Sequence, residues 1–223
     1  PRMVSPQSGP TLSNLYSEPR SFPPSPEFAA QANATADWYE RAEADLDAFW
    51  AEQAERLHWH RKWDKVLEWN RPFAKWFVGG KLNVAYNCVD RHVEAGYGDQ
   101  VAFHWEGEPG DTRTITYAEL QREVCKTANA LAELGVGPGD RVAIQLPMIP
   151  EAVFAMLACA RLGAMHSVVF GGFSASALKA RIEDAEAKVL ITSDGQYRRG
   201  QALPMKANTD EAVRETPTIE HVL

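Results

Sequence analysis

Met165-His166-Ser167-Val168-Val169-Phe170-Gly171-Gly172-Phe173-Ser174 is a short apolar run that breaks at two glycines and then meets a serine. Such a run predicts a strand over Met165–Val169, ending in a loop at Phe170–Phe173. Ser174 or Ser176 then caps a helix on which Leu178, Arg181, Ile182 and Ala185 share helical spacing. Reading outward repeats the alternation. Upstream, Gly137-Pro138-Gly139-Asp140 turns the chain into a strand over Arg141–Leu146. Pro150 suits the first turn of a helix that runs to about Leu162 and is apolar nearly all round. Downstream, Val189–Thr192 reads as a third strand, Thr209–Arg214 as a weak helix, and Ile219–Leu223 as the start of another strand. Strands and helices alternating through short connections call for a parallel sheet covered by helices, an α/β fold. A strand at the very end would leave a sheet edge open, so the expected sheet is incomplete.

Before this region, Val101–Trp105 and Arg113–Ile115 read as a hairpin around the turn Glu108-Pro109-Gly110-Asp111. Thr116-Tyr117-Ala118-Glu119 is a capping box, followed by a helix with Leu120, Val124, Ala128, Leu131 and Leu134 on one face, stopped by Gly135. Six of the seven tryptophans lie between Trp38 and Trp76. There Trp38, Ala42, Leu46, Phe49, Trp50, Ala54 and Leu57 predict one amphipathic helix opening near Thr35 or Asp37. One helix with so many rings cannot make its own core, so residues 28–90 are expected to dock on a larger body as an accessory segment. A partner-binding surface is the competing reading. Residues 1–27 are rich in Pro, Ser and Gly and predict a disordered or extended tail. Residues 91–223 form the α/β part.

The net charge of -7 disfavours general nucleic-acid binding, because an acidic surface repels phosphate backbones. A small anionic ligand needs only a local cluster of donors. No apolar run reaches the roughly 20 residues that span a bilayer, and no signal-peptide pattern opens the chain, so the cytoplasm is the default compartment. Cys88, Cys125 and Cys159 lie far apart and predict reduced, mostly buried thiols rather than a zinc site.

Two loops are candidates for chemistry. Phe170-Gly171-Gly172-Phe173 follows a strand's carboxyl end, where open α/β sheets bind ligands, and its glycines allow close approach to the backbone. A plain strand-to-helix turn explains it equally well. Ser193-Asp194-Gly195-Gln196-Tyr197-Arg198-Arg199-Gly200-Gln201 follows the next strand end and carries two guanidiniums that could grip a phosphate. On the residues alone, a solvated turn is the better account of it. His58 and His60 suit packing or surface hydrogen bonding, and His166 suits a satisfied core histidine. No nucleophile or metal pattern is present.

The stretch Trp76-Phe77-Val78-Gly79-Gly80-Lys81-Leu82-Asn83-Val84-Ala85-Tyr86-Asn87-Cys88-Val89-Asp90-Arg91-His92 resembles the N-terminal signature of acetyl-CoA synthetases. Arg141–Ala152 and Ala158–Ser174 resemble that family's following blocks, in the same order. The resemblance runs from about Leu12 to Leu223. It implies the first part of the large N-terminal domain of an adenylate-forming enzyme of the acyl-CoA synthetase, peptide-adenylation and luciferase superfamily. Such enzymes join ATP, with Mg2+, to a carboxylate and pass the acyl group from the adenylate to coenzyme A (CoA). By that resemblance Gly172 lies against the pantetheine arm, and Arg198, Arg199, Gly200 and Gln201 meet the 3′-phosphate end. A position often basic in the family is Gln201 here, so Arg199 is the candidate to supply the charge. The family's phosphate loop, its adenine, ribose and acyl pockets, and its C-terminal lysine have no match within these 223 residues. The expectation is therefore a fragment inactive in adenylation, with acetate, ATP and CoA as substrates of the parent and its oligomeric state open. A stand-alone, non-catalytic CoA-binding or interaction module is the alternative.

Overall fold

Side-chain capping opens two of the first three helices. The computed structural model describes residues 20–223, which divide between Ala54 and Glu55 into two compact units. Most of the expected tail, residues 1–19, lies outside the described residues. In the first unit, Ser25 accepts from the Phe28 N–H and opens helix α1 (Pro26–Ala30). The single helix expected from Trp38 to Leu57 is instead two, α2 (Ala36–Ala44) and α3 (Leu46–Ala54). The break is at Asp45, an extended residue whose carboxylate accepts from the Ala48 N–H at 2.9 Å and so starts a new helix. The helices meet through edge-to-face rings, Trp38 of α2 on Phe49 of α3 at 5.8 Å, and Phe49 in turn meets its neighbour Trp50 edge-on at 5.4 Å.

The second unit opens with a feature that helical periodicity did not suggest. Strands β1 (Lys65–Asn70) and β2 (Phe73–Val78) form an antiparallel hairpin. Trp59, Trp63 and Phe77 pack on one another with centroids 5.0 to 5.5 Å apart. A Cβ at Gly80 would come within 2.6 Å of the Trp59 ring, which is why this turn carries a glycine. Two π-helical turns, Tyr86–Asp90 and Val93–Tyr97, lead to the hairpin of β3 (Val101–Glu106) and β4 (Thr112–Thr116). Helix α4 (Tyr117–Glu133) opens on the expected capping box, with Thr116 and Glu119 each satisfying the other's backbone N–H. It ends before Gly135, whose φ of 78° is left-handed.

The sheet that follows is parallel throughout. Its strands are β5 (Arg141–Ile144), β6 (Met165–Val168), β7 (Val189–Ile191) and β10 (His221–Val222), in spatial order β10-β7-β5-β6. Helices α5 (Pro150–Leu162) and α6 (Ala175–Ala185) make the crossovers. The period of two in a strand is visible in the packing. Val142, Ile144, Val189 and Ile191 meet Ala128 and Leu131 of α4 and Ala155, Ala158 and Cys159 of α5. Ala143 and Leu190 face the other way, onto Leu178 and Ile182 of α6. Connections leave β5 toward β6 and then return past it to β7. The crevice beyond the carboxyl ends of β5 and β7 is thus a topological switch point.

Two expectations need correction here. His166 is exposed rather than buried, because β6 is an edge strand. Met165 and Val168 beside it are 56% and 55% exposed. Of the three thiols only Cys159 is buried, while Cys88 is exposed.

Candidate functional site

Both candidate loops leave the same edge of the sheet, one after β6 and one after β7. The first is a tight turn in which the Phe173 N–H donates to the Phe170 carbonyl at 3.0 Å. Ser174 then caps α6 by accepting from the Ala177 N–H. The second, expected as an irregular loop, is a hairpin of β8 (Gly195–Arg198) and β9 (Gln201–Pro204). Arg199 and Gly200 form its two-residue turn, with φ of 54° and 74°. Positive φ at both positions matches the twist of paired strands, and glycine takes it freely whereas arginine does not. Arg199 is therefore held in a conformation that costs free energy.

The fold brings the two loops together. Gln196 Nε2 donates to the Gly171 carbonyl at 3.2 Å. The Arg198 guanidinium lies over the Phe170 ring, 5.0 Å from its centroid, and Phe170 meets Phe173 edge-on at 5.7 Å. Arg181 covers Phe173 at 4.4 Å. Gly172 sits inside this arrangement, where a Cβ would come 2.5 Å from Arg198 Nη1 and 2.7 Å from Phe170 Cε1. Its lack of a side chain leaves the backbone open to solvent beside a cation. Among the described residues, neither Arg198 nor Arg199 is in an ion pair. Gln201 is exposed and pairs in register with Arg198. A concave surface of about 440 Å³ runs along the hairpin between Asp194 and Pro204.

Helix α7 (Lys206–Val213) follows the hairpin. Thr209, fully buried, donates to Gln145 Oε1 at 2.9 Å and lies 3.2 Å from the Thr192 hydroxyl. These three side chains tie α7 to the ends of β5 and β7. Near them a cavity of about 290 Å³ opens at the switch point, with Leu146, Phe154, Thr192 and Leu223 in its wall.

Three groups escaped the reading by motif. Glu108, at the β3–β4 turn, accepts from the Gly200 N–H. No local pattern signals a contact between residues so far apart in sequence. Asp90 and Arg161 form a pair in which one guanidinium nitrogen reaches both carboxylate oxygens at 2.9 and 2.7 Å. They border a cavity of about 380 Å³ with His60, Tyr86 and Glu94. Tyr86 donates to Glu94 at 2.7 Å, and that hydrogen bond to a carboxylate raises the phenol's pKa. His58 and His60 are exposed, with their rings tilted against Tyr86 at centroid distances of 4.6 and 6.2 Å. Among the described residues, no group of three His, Cys, Asp or Glu could hold a metal ion, so none is assigned to Mg2+.

Residues 89–223 match the family model described as AMP-binding enzyme, and residues 35–88 match the one described as acetyl-coenzyme A synthetase N-terminus. The chain is 68% identical over 207 residues to the acetyl-coenzyme A synthetase of Mycolicibacterium smegmatis, covering 92% of this chain and 22% of the relative. It is 66% identical to that of Mycobacterium tuberculosis, over 91% of this chain and 32% of the relative. Against that of Streptomyces avermitilis it is 64% identical, over 97% and 33%. The chain thus spans a third or less of the length of these curated relatives. The matched models and relatives place the chain in the family of AMP-binding enzymes, in its acetyl-coenzyme A synthetase branch.

Proposed function

We propose that this chain contributes part of the CoA site of an AMP-forming acetate–CoA ligase. In the complete reaction, acetate attacks the α-phosphate of ATP, giving acetyl-adenylate and diphosphate. The CoA thiol then attacks the acetyl carbonyl and releases AMP. The observation that carries the reading is the Arg198 guanidinium over Phe170, immediately beside the open backbone of Gly172. A narrow arm can pass a glycine where a Cβ would block it, while guanidinium groups and a backbone N–H suit a phosphate. The branch of the matched relatives supports acetate as the acid.

The chain's own residues bind and orient; they do not carry adenylation. In-line attack on ATP needs the phosphates and carboxylate aligned and the developing charge neutralised. The chain spans a third or less of the matched relatives' length, and the ATP and Mg2+ sites are assigned in this reading to the rest of such an enzyme. Purified chain should therefore show no acetate-dependent exchange between ATP and diphosphate. Measurable exchange by pure material would sink this reading. Small molecules are the proposed partners.

A further inference from the structure

We propose that Glu108 is a built-in carboxylate competitor, occupying the phosphate-facing turn and setting how tightly it takes a phosphate. This rests on the reading of Arg198–Gln201 as the part of the CoA site that meets the 3′-phosphate. Glu108 Oε1 accepts from the Gly200 N–H at 2.5 Å, across 92 residues of sequence. That N–H lies in the turn between Arg198 and Gln201. A carboxylate and a phosphate oxygen seek the same kind of donor, and a backbone N–H in a left-handed turn is well suited to either. The contact engages the backbone donor while both guanidiniums stay out of ion pairs among the described residues.

The carboxylate is presented by a braced element rather than by a loose loop. The Gly107 N–H donates to the Asp111 carbonyl at 2.8 Å, and the Gly110 N–H to the Gly107 carbonyl at 2.9 Å. Gly110 takes the turn at φ 97°. Trp105, two residues before Gly107, donates from Nε1 to the Met148 carbonyl at 2.6 Å, which ties the hairpin to the segment after β5. Glu108 is itself exposed. An exposed carboxylate regains water when it leaves, so a phosphate can displace it at modest cost. An incoming phosphate must displace Glu108 and also bears its negative charge nearby. A ligand without that phosphate meets neither obstacle.

Calorimetry with CoA and dephospho-CoA on the whole 223-residue chain tests this. Glu108→Gln removes the charge and keeps an acceptor; Glu108→Ala removes both. Both should tighten CoA binding about three- to tenfold at low salt, less at high salt, and leave dephospho-CoA unchanged. If the Ala variant misfolds, the near-isosteric Gln variant still decides the question. Unchanged or weaker CoA binding in the Glu108 variants, with Arg198→Ala still weakening it, would overturn the proposal and show Glu108 to be a brace for the turn. CoA binding indifferent to both Arg198→Ala and Arg199→Ala would instead overturn the site reading beneath it. Absence of CoA binding in every form would overturn both.

Discussion

Arg198 stands over the ring of Phe170, with its guanidinium carbon 5.0 Å from the centroid. Through this contact two loops that are far apart in sequence become one surface. Stacking on a ring fixes the plane of the guanidinium without using its N–H donors, which remain available to an anion.

Gly172 lies directly against that contact. Gly172→Val would place carbon against Phe170 and displace the Arg198 guanidinium. CoA affinity should fall about tenfold or more, while unfolding free energy falls by only about 1 kcal/mol, because the position is exposed and the Arg198 tip can move aside. Calorimetry and urea unfolding of the same preparation separate the two effects. Equal CoA affinity in wild type and variant would show that no ligand passes Gly172.

Arg199 sets turn stability against charge. Asparagine accepts a left-handed backbone more readily than arginine, so Arg199→Asn should raise unfolding free energy by about 0.5 kcal/mol. The same change should weaken CoA binding about three- to tenfold. A thermal melt and a titration would read both. A variant that gained stability and kept full affinity would assign the charge to Arg198 alone.

Asp90 is 7% exposed and accepts from Arg161 and from Gln121 Nε2 at 2.8 Å. Arg161→Met would strand a largely buried carboxylate, at a cost of about 3 kcal/mol in urea unfolding. Asp90→Asn in the Arg161→Met background should recover part of that loss. A double variant no more stable than Arg161→Met would show that the stranded charge is not what destabilises it.

Burial pushes the Cys159 thiol up to about 11. The folded chain holds this proton more tightly than the unfolded chain does. The stabilising contribution is therefore full below the ordinary thiol range and lost as pH rises through about 11. At neutral pH, alkylation followed by mass spectrometry should mark exposed Cys88 first and Cys159 only after unfolding. Early labelling of Cys159 in native protein would contradict the packing of α5.

The parallel sheet was legible because its signals are local and repeated. Apolar runs bounded by Gly, Pro and capping residues mark β5, α5, β6, α6 and β7 within a residue or two. The Thr116–Glu119 box and Gly135 mark both ends of α4. The errors arose where one short-range preference overrode another or where no local signal exists. Asp45 interrupts an otherwise continuous helical stripe by capping α3. The β1–β2 hairpin was hidden by aromatics that suit either helix or strand. His166 was misplaced because burial depends on what covers β6, not on the run that forms it. Gly172 and Arg198 were individually visible as site candidates, but their contact depends on where the strands place their loops. Glu108 had no signal, since its partner lies 92 residues away.

The central claim is that Arg198 and Arg199 meet the 3′-phosphate of CoA. Titrating CoA and dephospho-CoA into the wild-type chain and into the Arg198→Ala/Arg199→Ala double variant tests it most directly. The account predicts that wild type prefers CoA and that the double variant binds both ligands equally weakly. A wild-type chain without preference, or a double variant that keeps the preference, would contradict it.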